Sequence, residues 1–262
     1  MESNNHPTAD ERFFFDANGY LILENFLSDE MIENLSNALR SGISRRLQMK
    51  EAGQLGRKGP WLTVNGANSR IFGILDEDPL FLDLMDYPPI MSYVRALLTP
   101  TPHYHASDAI WEKEDPGNAP GWHRDGVDDG YSFTKPNVPH LQLKVGYFLS
   151  DMSDSNQGNL TIVPGSHRLS VDPTPEQLTD FESLPGAMQL CVPAGACVMF
   201  HNAIWHTPGR WTSSTGERKI LYYAYEHNWM MAARQPRYSR SFYHELSSDR
   251  KKMFHDVVFE VK

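Results

Sequence analysis

The spacing of apolar residues changes character about 100 residues into the chain. Before that point, apolar side chains recur every three or four residues, which is the spacing of amphipathic helices. The clearest example runs from residue 29 to about 50. It follows Ser28, a favourable N-terminal cap, and places Leu35 and Leu39 on one face. We therefore predict a long helix in this segment, packed as a support for the rest of the protein.

Shorter elements are predicted around this helix. Residues 1 to about 10 are polar and are expected to be frayed, and residues 20–26 have the composition of a strand. The glycine-rich, polar segment 53–68 predicts a long surface loop, of the kind that often serves as a lid. Two short helices are predicted on either side of Pro88-Pro89, because proline is tolerated at a helix start.

From about residue 101, short extended segments separated by turn residues predict an all-β core. The predicted strands are 103–111, 141–149, 159–163, 197–201 and 219–226. No internal repeat or linker interrupts the chain. We therefore predict one domain over residues 1–262, with a mostly helical support to residue 100, a strand core over 101–230 and a C-terminal segment over 231–262.

Composition narrows the class of protein. The 262 residues are 40% hydrophobic and 22% charged, as in globular proteins. A net charge of -9 disfavours a dedicated nucleic-acid binder or an anionic-membrane binder. Two cysteines do not make a disulfide framework, and no apolar run approaches the length of a membrane span. The polar N-terminus lacks the features of a secretion signal, so the expected location is cytoplasmic.

Candidate chemistry centres on Gly121-Trp122-His123-Arg124-Asp125-Gly126. Side chains alternate along an extended segment, so His123 and Asp125 are predicted to share a face, with Arg124 on the other. Two histidines and one carboxylate on one face of a metal form the ligand set of non-haem Fe(II) oxygenases. With His206 as the second histidine, the pattern predicts an iron site. The alternative is a chance triplet, since the chain has 11 histidines and 33 acidic residues.

An iron centre that uses O2 needs an electron source, and the commonest one is 2-oxoglutarate. The far carboxylate of that dianion needs a cation, and a guanidinium matches a carboxylate with two parallel hydrogen bonds. Arg218 follows His206 across a turn-rich segment, and a hairpin would return Arg218 beside the metal on the adjacent strand. The alternative is an ordinary solvated arginine.

These residues resemble the phytanoyl-CoA dioxygenase family of Fe(II)/2-oxoglutarate oxygenases over nearly the whole chain. The similarity includes Trp122-His123-Arg124-Asp125, where the family commonly has Trp-His-Gln-Asp, and the distinctive turn Pro164-Gly165-Ser166-His167 after an apolar strand. The resemblance implies a mainly β fold with flanking helices and a double-stranded β-helix (jelly-roll, cupin-like) core. It also implies Fe(II) on His123, Asp125 and His206, the cosubstrate carboxylate on Arg218, and O2 as oxidant.

One position departs from the family pattern. A serine or threonine often lies two residues after the second histidine and helps to bind the cosubstrate, but this chain has Pro208, which leaves Thr207 as a candidate. On segment 141–149, Gln142 and Lys144 share a face. If that face is inward, Lys144 could reach the iron-side carboxylate or the substrate. If it is outward, Lys144 points to solvent.

The resemblance implies oxidation of a fatty acyl-CoA, a free amino acid, a phosphonate or a small natural product, with release of succinate and CO2. The net charge of -9 provides no general field that attracts a CoA pyrophosphate, so we expect hydroxylation of a small metabolite or natural product. Related halogenating enzymes have glycine or alanine at the position of Asp125, so the carboxylate favours hydroxylation. Desaturation, cyclisation and epimerisation use the same ligands and remain open. A non-oxidative cupin-like metalloenzyme could use the three ligands without needing Arg218, and a non-catalytic relative would usually have lost a ligand. The substrate and the oligomeric state do not follow from the sequence.

Overall fold

The computed structural model describes residues 6–54, 61–117, 119–125, 138–214, 216–230 and 238–254, with the side chain of Trp61 excepted. The strands are β1 (Tyr20–Leu23), β2 (Trp61–Asn65), β3 (Asn68–Phe72), β4 (Pro102–Glu112), β5 (Gln142–Phe148), β6 (Leu160–Ile162), β7 (Met188–Gln189), β8 (Cys197–His201), β9 (His206–Pro208) and β10 (Arg218–His227). The α-helices are α1 (Ala9–Asn18), α2 (Asp29–Glu51), α3 (Pro79–Met85), α4 (Pro88–Leu97), α5 (Arg240–Glu245) and α6 (Ser248–Lys251).

The strands form two antiparallel sheets. The larger sheet has seven strands in the order β1-β8-β5-β10-β4-β3-β2, and the smaller sheet has three in the order β7-β6-β9. Strands that are distant in sequence are therefore neighbours in space, as β5 lies between β8 and β10. The prediction of a mainly β architecture with flanking helices is confirmed.

One face of the larger sheet is covered by helices. Alternate residues of β5 and β10, among them Val145, Tyr223 and Tyr225, are buried in the hydrophobic cluster that the helices share. The Tyr223 hydroxyl donates to the carbonyl of Phe81 at 2.8 Å, and the Tyr225 hydroxyl donates to the carbonyl of Met85 at 2.7 Å. These bonds satisfy polar tips that would otherwise be buried alone, and they fix α3 against the sheet.

The other face of the larger sheet packs against the smaller sheet. Phe148, Phe200 and Ile220 from the larger sheet share a buried cluster with Leu160 and Ile162 of β6. Because side chains alternate along each strand, the intervening residues of β5 and β10 face the helices instead. Positions on the Phe148 and Ile220 face therefore point into the space between the sheets, where the candidate site lies.

Helix α2 is joined to the larger sheet by a buried charge. The prediction of this helix is confirmed, and the Ser28 hydroxyl caps it by accepting from the backbone of Met31 at 3.3 Å. The Arg46 side chain is fully buried and forms an ion pair with Glu77. Its guanidinium also donates to the carbonyls of Phe72 at 2.5 Å and Gly73 at 2.8 Å. In the described part of the chain, no helix is both long and apolar enough to cross a membrane.

Two predictions for the first part of the chain are wrong. Fraying was expected over residues 1 to about 10, but helix α1 begins at residue 9, because Thr8 and Glu11 form a capping box. Residues 1–5 of that prediction lie outside the described residues. The predicted loop 53–68 contains β2 and the start of β3, paired as a hairpin. Gly66 provides the turn, with a φ of 57°. Residues 55–60 of the predicted lid lie outside the described residues.

Candidate active site

The three predicted metal ligands lie together. His123 and His206 exchange both backbone hydrogen bonds, at 3.0 and 3.1 Å, so their rings lie side by side with centroids 4.1 Å apart. The Asp125 carboxylate is 3.9 Å from His123 Nε2 and 3.5 Å from His206 Nε2. One ligand atom from each residue falls within 4.8 Å of the others, and the described residues contain no second such cluster of three.

Both imidazoles are oriented by the backbone. His123 Nδ1 lies 2.6 Å from the carbonyl of Gly121, and His206 Nδ1 lies 3.0 Å from the carbonyl of Ile204. A nitrogen that donates to a carbonyl carries the proton, so Nε2 of each ring keeps its lone pair. Hydrogen bonds of this kind commonly fix metal-binding histidines. Both rings therefore offer a metal the correct nitrogen.

Arg124 lies on the opposite side of the segment, as the alternation predicts. Its guanidinium packs over the ring of Trp205, 4.9 Å from the centroid, and lies 3.4 Å from the Asp172 carboxylate. Arg124 is thus directed away from the three ligand atoms, and the family's usual glutamine at this position need not be matched for metal binding.

The charges at the site favour the metal-binding protonation states. Burial alone would raise the pKa of Asp125, but Lys144, with Nζ 3.4 Å from Asp125 Oδ2, and the two imidazoles lower it to about 2. Burial lowers the pKa of His206 to about 4, although Asp125 opposes this effect. Near neutral pH the site holds an ionised carboxylate beside a neutral His206. Lys144 therefore faces inward and contacts the carboxylate, not solvent.

Asn202 positions the Asp125 segment, a role that the sequence did not indicate. The Asp125 amide donates to the Asn202 carbonyl at 2.8 Å, and the Asn202 side-chain amide donates to the Asp125 carbonyl at 3.2 Å. Asn202 Oδ1 also accepts from the amides of Leu141 and Gln142, at 3.0 and 3.3 Å. One buried side chain thus fixes the metal-ligand loop to the start of β5.

The Pro-Gly-Ser-His turn positions the other side of the site. Gly165 adopts a φ of 76°, which favours glycine, and the chain then forms a short 3-10 helix over Ser166–Arg168. The Ser166 hydroxyl accepts from the amide of Trp205 at 2.8 Å, next to His206. His167 packs against Gly19 and bonds the carbonyl of Asp16, so it is a structural residue.

Arg218 reaches the space between the sheets by an unpredicted route. The expected hairpin is wrong, because β9 belongs to the smaller sheet and β10 to the larger one. The Arg218 side chain is only 4% exposed and pairs with Glu112 at 3.0 Å, which excludes a solvated arginine. Its Nε is buried and has no hydrogen-bond partner among the described residues. A buried donor in this state is expected to meet a ligand.

Arg218 also borders a small cavity. The cavity has a volume of about 150 Å³ and is lined by Arg218, Pro208, Trp211 and Gly158, among others. A Cβ at Gly158 would lie 2.8 Å from the Trp211 ring and 3.4 Å from Arg218 Nη1. Glycine therefore leaves the guanidinium room. The lining includes Pro208, which follows His206 by two residues in the sequence. A guanidinium with an unused donor matches a carboxylate.

Thr207 and Gln142 are placed differently from Arg218. The Thr207 hydroxyl accepts from the Gly121 amide at 2.9 Å and donates to the Pro208 carbonyl at 3.0 Å. It therefore supports the turn before His123, and it is not among the residues that line the Arg218 cavity. Gln142 is buried, and its amide lies 3.4 Å from the ring of His105. The structure does not bring either residue to the guanidinium.

Comparisons with known proteins agree with this site. The family model for phytanoyl-CoA dioxygenase (PhyH) matches residues 15–220. The peroxisomal phytanoyl-CoA dioxygenase of Bos taurus is 23% identical over 239 residues, covering 83% of this chain and 68% of that protein. Ectoine dioxygenase of Bordetella parapertussis is 29% identical over 167 residues, which are 62% of this chain but only half of that protein.

Solved structures give the same fold. HygX from Streptomyces hygroscopicus, crystallised with nickel and 2-oxoglutarate, superposes with a TM-score of 0.67 at 15% identity and covers 87% of this chain and 90% of its own. The predicted double-stranded β-helix core is confirmed by this likeness. The family model spans most of the chain and includes the whole segment that carries the three ligand residues and Arg218. The chain therefore belongs to the phytanoyl-CoA dioxygenase (PhyH) family of Fe(II)/2-oxoglutarate-dependent oxygenases.

Proposed function

We propose that this protein hydroxylates a small molecule, a metabolite or natural product, with 2-oxoglutarate as cosubstrate and release of succinate and CO2. One observation carries the proposal. The His123, Asp125 and His206 ligand atoms lie within 4.8 Å of one another, and Arg218, a buried arginine with an unused Nε donor, lines a cavity that also includes Pro208, two residues after His206 in the sequence. Two imidazoles, one carboxylate and a guanidinium suit an iron ion and a dicarboxylate.

Each residue then has a defined part. His123, Asp125 and His206 hold Fe(II) through two Nε2 atoms and a carboxylate oxygen. Arg218 binds the far carboxylate of 2-oxoglutarate, and Lys144 keeps Asp125 ionised. When bound, the iron and 2-oxoglutarate supply the power to activate O2 and oxidise a substrate C–H bond. The protein fixes the ligands, excludes bulk water and orients the cosubstrate.

The alternative reactions differ in what they require of Arg218. A non-oxidative cupin-like metalloenzyme would use the three ligands without a cosubstrate, so a buried arginine with an unused donor at the site favours the oxygenase. Desaturation, cyclisation and epimerisation use the same residues as hydroxylation. Identification of the reaction product distinguishes these four reactions. The relatives named above act on an acyl-CoA or on ectoine, which supports a small-molecule substrate. The cytoplasmic location stays a prediction.

The decisive experiment is an anaerobic titration of apo-protein with Fe(II) and then 2-oxoglutarate, monitored in the visible spectrum. A chelated 2-oxo acid on Fe(II) gives a weak charge-transfer band, so no substrate is needed. We expect the band in the wild type, its loss in His206→Ala, and at least tenfold weaker 2-oxoglutarate binding in Arg218→Ala, since a charge-assisted bidentate contact is removed. Succinate release then identifies substrates in a screen.

Matched controls separate these effects from general damage. His244→Ala and Arg95→Ala remove an exposed histidine and an exposed arginine outside the site, and both should leave the band unchanged. Iron binding without any band would contradict the oxygenase proposal and favour the non-oxidative enzyme. A band that persists in His206→Ala would contradict the ligand assignment.

A further inference from the structure

A second polar cluster lies between the sheets, beyond the residues used so far. Glu226 is completely buried, and its carboxylate lies 2.7 Å from His105 Nδ1. Gln142, which is 4% exposed, places its amide nitrogen 3.4 Å from His105 Nε2. Carboxylates are almost never fully buried without a partner or a function. A carboxylate, an imidazole and an amide thus meet at one buried place on the larger sheet.

The position of this cluster follows from the register of β10. Residues 218, 220, 222, 224 and 226 share its inner face, so Arg218 and Glu226 lie about 27 Å apart along the strand, at about 3.4 Å per residue. Lys144, which contacts the metal-ligand carboxylate, pairs with Ala224. Gln142 pairs with Glu226. Lys144, whose side chain reaches Asp125, is therefore next to Gln142 on this face, and Arg218 lies toward the other end of the row.

A shared support links the backbone at this cluster to the backbone of Asp125. Asn202 Oδ1 accepts from the amide of Gln142, and the Asn202 side-chain amide donates to the carbonyl of Asp125. Gln142 and Asp125 are thus joined through a single buried residue. On the proposed function the cosubstrate extends from the metal toward Arg218. The side of the metal toward Gln142 and Glu226 is then left for the substrate.

We infer that His105, Gln142 and Glu226 form the substrate-binding end of the active site and select a polar substrate that carries hydroxyl or amino groups. This inference rests on the proposed function. The carboxylate and the amide oxygen accept hydrogen bonds from such groups, and the imidazole and the amide nitrogen orient them. A saturated acyl chain would offer these groups no hydrogen bond, and sites built from hydrogen-bonding groups reject analogues that lack the matching group.

A polar substrate-binding end would distinguish this chain from an acyl-CoA oxygenase of the same family. The polar groups come from three strands: His105 from β4, Gln142 from β5 and Glu226 from β10. His105 occupies the position where the register between β4 and β10 shifts, because Ala224 pairs with Ala106 and Tyr225 with Tyr104. The irregularity inserts one extra residue and directs this imidazole to Glu226. β-Bulges commonly re-aim a side chain next to an active site.

The test compares two panels of probes on the full chain loaded with Zn(II), a diamagnetic substitute for iron, and 2-oxoglutarate. One panel contains amino sugars, polyols and ectoine, and the other contains aliphatic alcohols and octanoyl-CoA. Ligand-observed NMR gives the affinity of each probe. We expect the wild type to bind probes from the polar panel. Their affinity should be at least tenfold weaker in Glu226→Gln and in His105→Gln. The affinity for amines should change little in Gln142→Glu. Glu33→Gln, an exposed acid on α2, is the matched control.

Every outcome decides the inference. Polar binding that is equal in wild type and variants, no polar binding at all, or binding of the aliphatic panel alone would overturn it. The charge-transfer titration of the same variants separates this failure from failure of the proposed function. If the band is intact in wild type and in Glu226→Gln while probe binding does not depend on Glu226, only the inference fails. If the wild type gives no band, the proposed function fails first.

Discussion

The two sheets of this protein are held together in different ways. The larger sheet contains long strands, with 11 residues in β4 and 10 in β10, and helices bury one of its faces. The strands of the smaller sheet have three, two and three residues. So few ladder bonds do not stabilise a sheet on their own. The smaller sheet depends on side chains that bond the backbone, such as Asn159, whose amide donates to the carbonyls of Met152 and Asp154.

The two sheets contribute different residues to the candidate active site. His206 lies on the smaller sheet, and His123 and Asp125 lie on a segment joined to it by an isolated antiparallel bridge, the pair of backbone hydrogen bonds between His123 and His206. Lys144 and Arg218 lie on the larger sheet. The larger sheet thus provides the cations Lys144 and Arg218, and the smaller sheet with its attached segment provides the three candidate metal ligands. Substitutions that disrupt the larger sheet should lower the free energy of unfolding. Substitutions near the smaller sheet should lower the affinity for metal as well.

The largest effect on stability is expected for Arg46→Ala. The substitution leaves Glu77 and two backbone carbonyls without the buried guanidinium, and loss of one partner of a buried ion pair costs about 3–5 kcal/mol. Urea denaturation measures the change. Arg45→Ala removes a 47% exposed partner of the same Glu77 and should cost less than about 1 kcal/mol. Iron affinity should not change in either variant, and equal stability losses would contradict the assignment of Arg46 as the buried anchor.

Asn202→Ala should combine both kinds of damage. It leaves the buried amides of Leu141 and Gln142 without their acceptor, and unsatisfied groups of this kind cost about 1–3 kcal/mol each. We expect unfolding to be easier by about 2–4 kcal/mol. Loss of the support for Asp125 should also weaken Fe(II) binding about 10- to 100-fold in competition with a chelator. Asn37→Ala, on the exposed face of α2, is the control, and unchanged iron affinity in Asn202→Ala would argue against the positioning role.

A smaller effect is expected from pH. Burial lowers the pKa of His140, whose ring stacks on His201 at 4.2 Å, to about 4, against about 6.5 in the unfolded chain. The unfolded state then binds more protons as pH falls below about 6.5. Stability is lost between about pH 6.5 and 4, at up to about 1.4 kcal/mol per pH unit from this residue. Denaturation of the apo-protein at several pH values should show a shallower slope in His140→Gln than in wild type. Parallel slopes would show that His140 is not held neutral.

Local sequence patterns predicted which side chains of segment 121–126 lie together, but not how that segment is placed among the strands. Alternation along an extended segment was enough to place His123 and Asp125 together and Arg124 apart, because it depends only on backbone geometry. Helix α2 followed from apolar spacing and the Ser28 cap. Two local signals were present but not used. Thr8 and Glu11 form a capping box, and Asn65-Gly66 is a strong hairpin signal.

The remainder required three-dimensional information. Arg218 was assigned to a hairpin beside His206, but the chain crosses from one sheet to the other between them. The number of residues between His206 and Arg218 carries no information on which sheet each of their strands joins. Asn202 and the cluster of His105 and Glu226 depend on register between strands that are distant in sequence. A single polar residue on a strand belongs to no periodic pattern, so the sequence alone does not indicate its partners.

The unequal exposure of the two candidate metal-ligand histidines has a kinetic consequence. The His123 side chain is 49% exposed, whereas that of His206 is 7% exposed. An ion entering from solution would therefore pass His123 before it reached His206, and a departing ion would retrace that route and leave His123 last. Access at the surface imidazole would thus control how fast the site loads and empties, whereas the buried imidazole would contribute mainly to how tightly the ion is held.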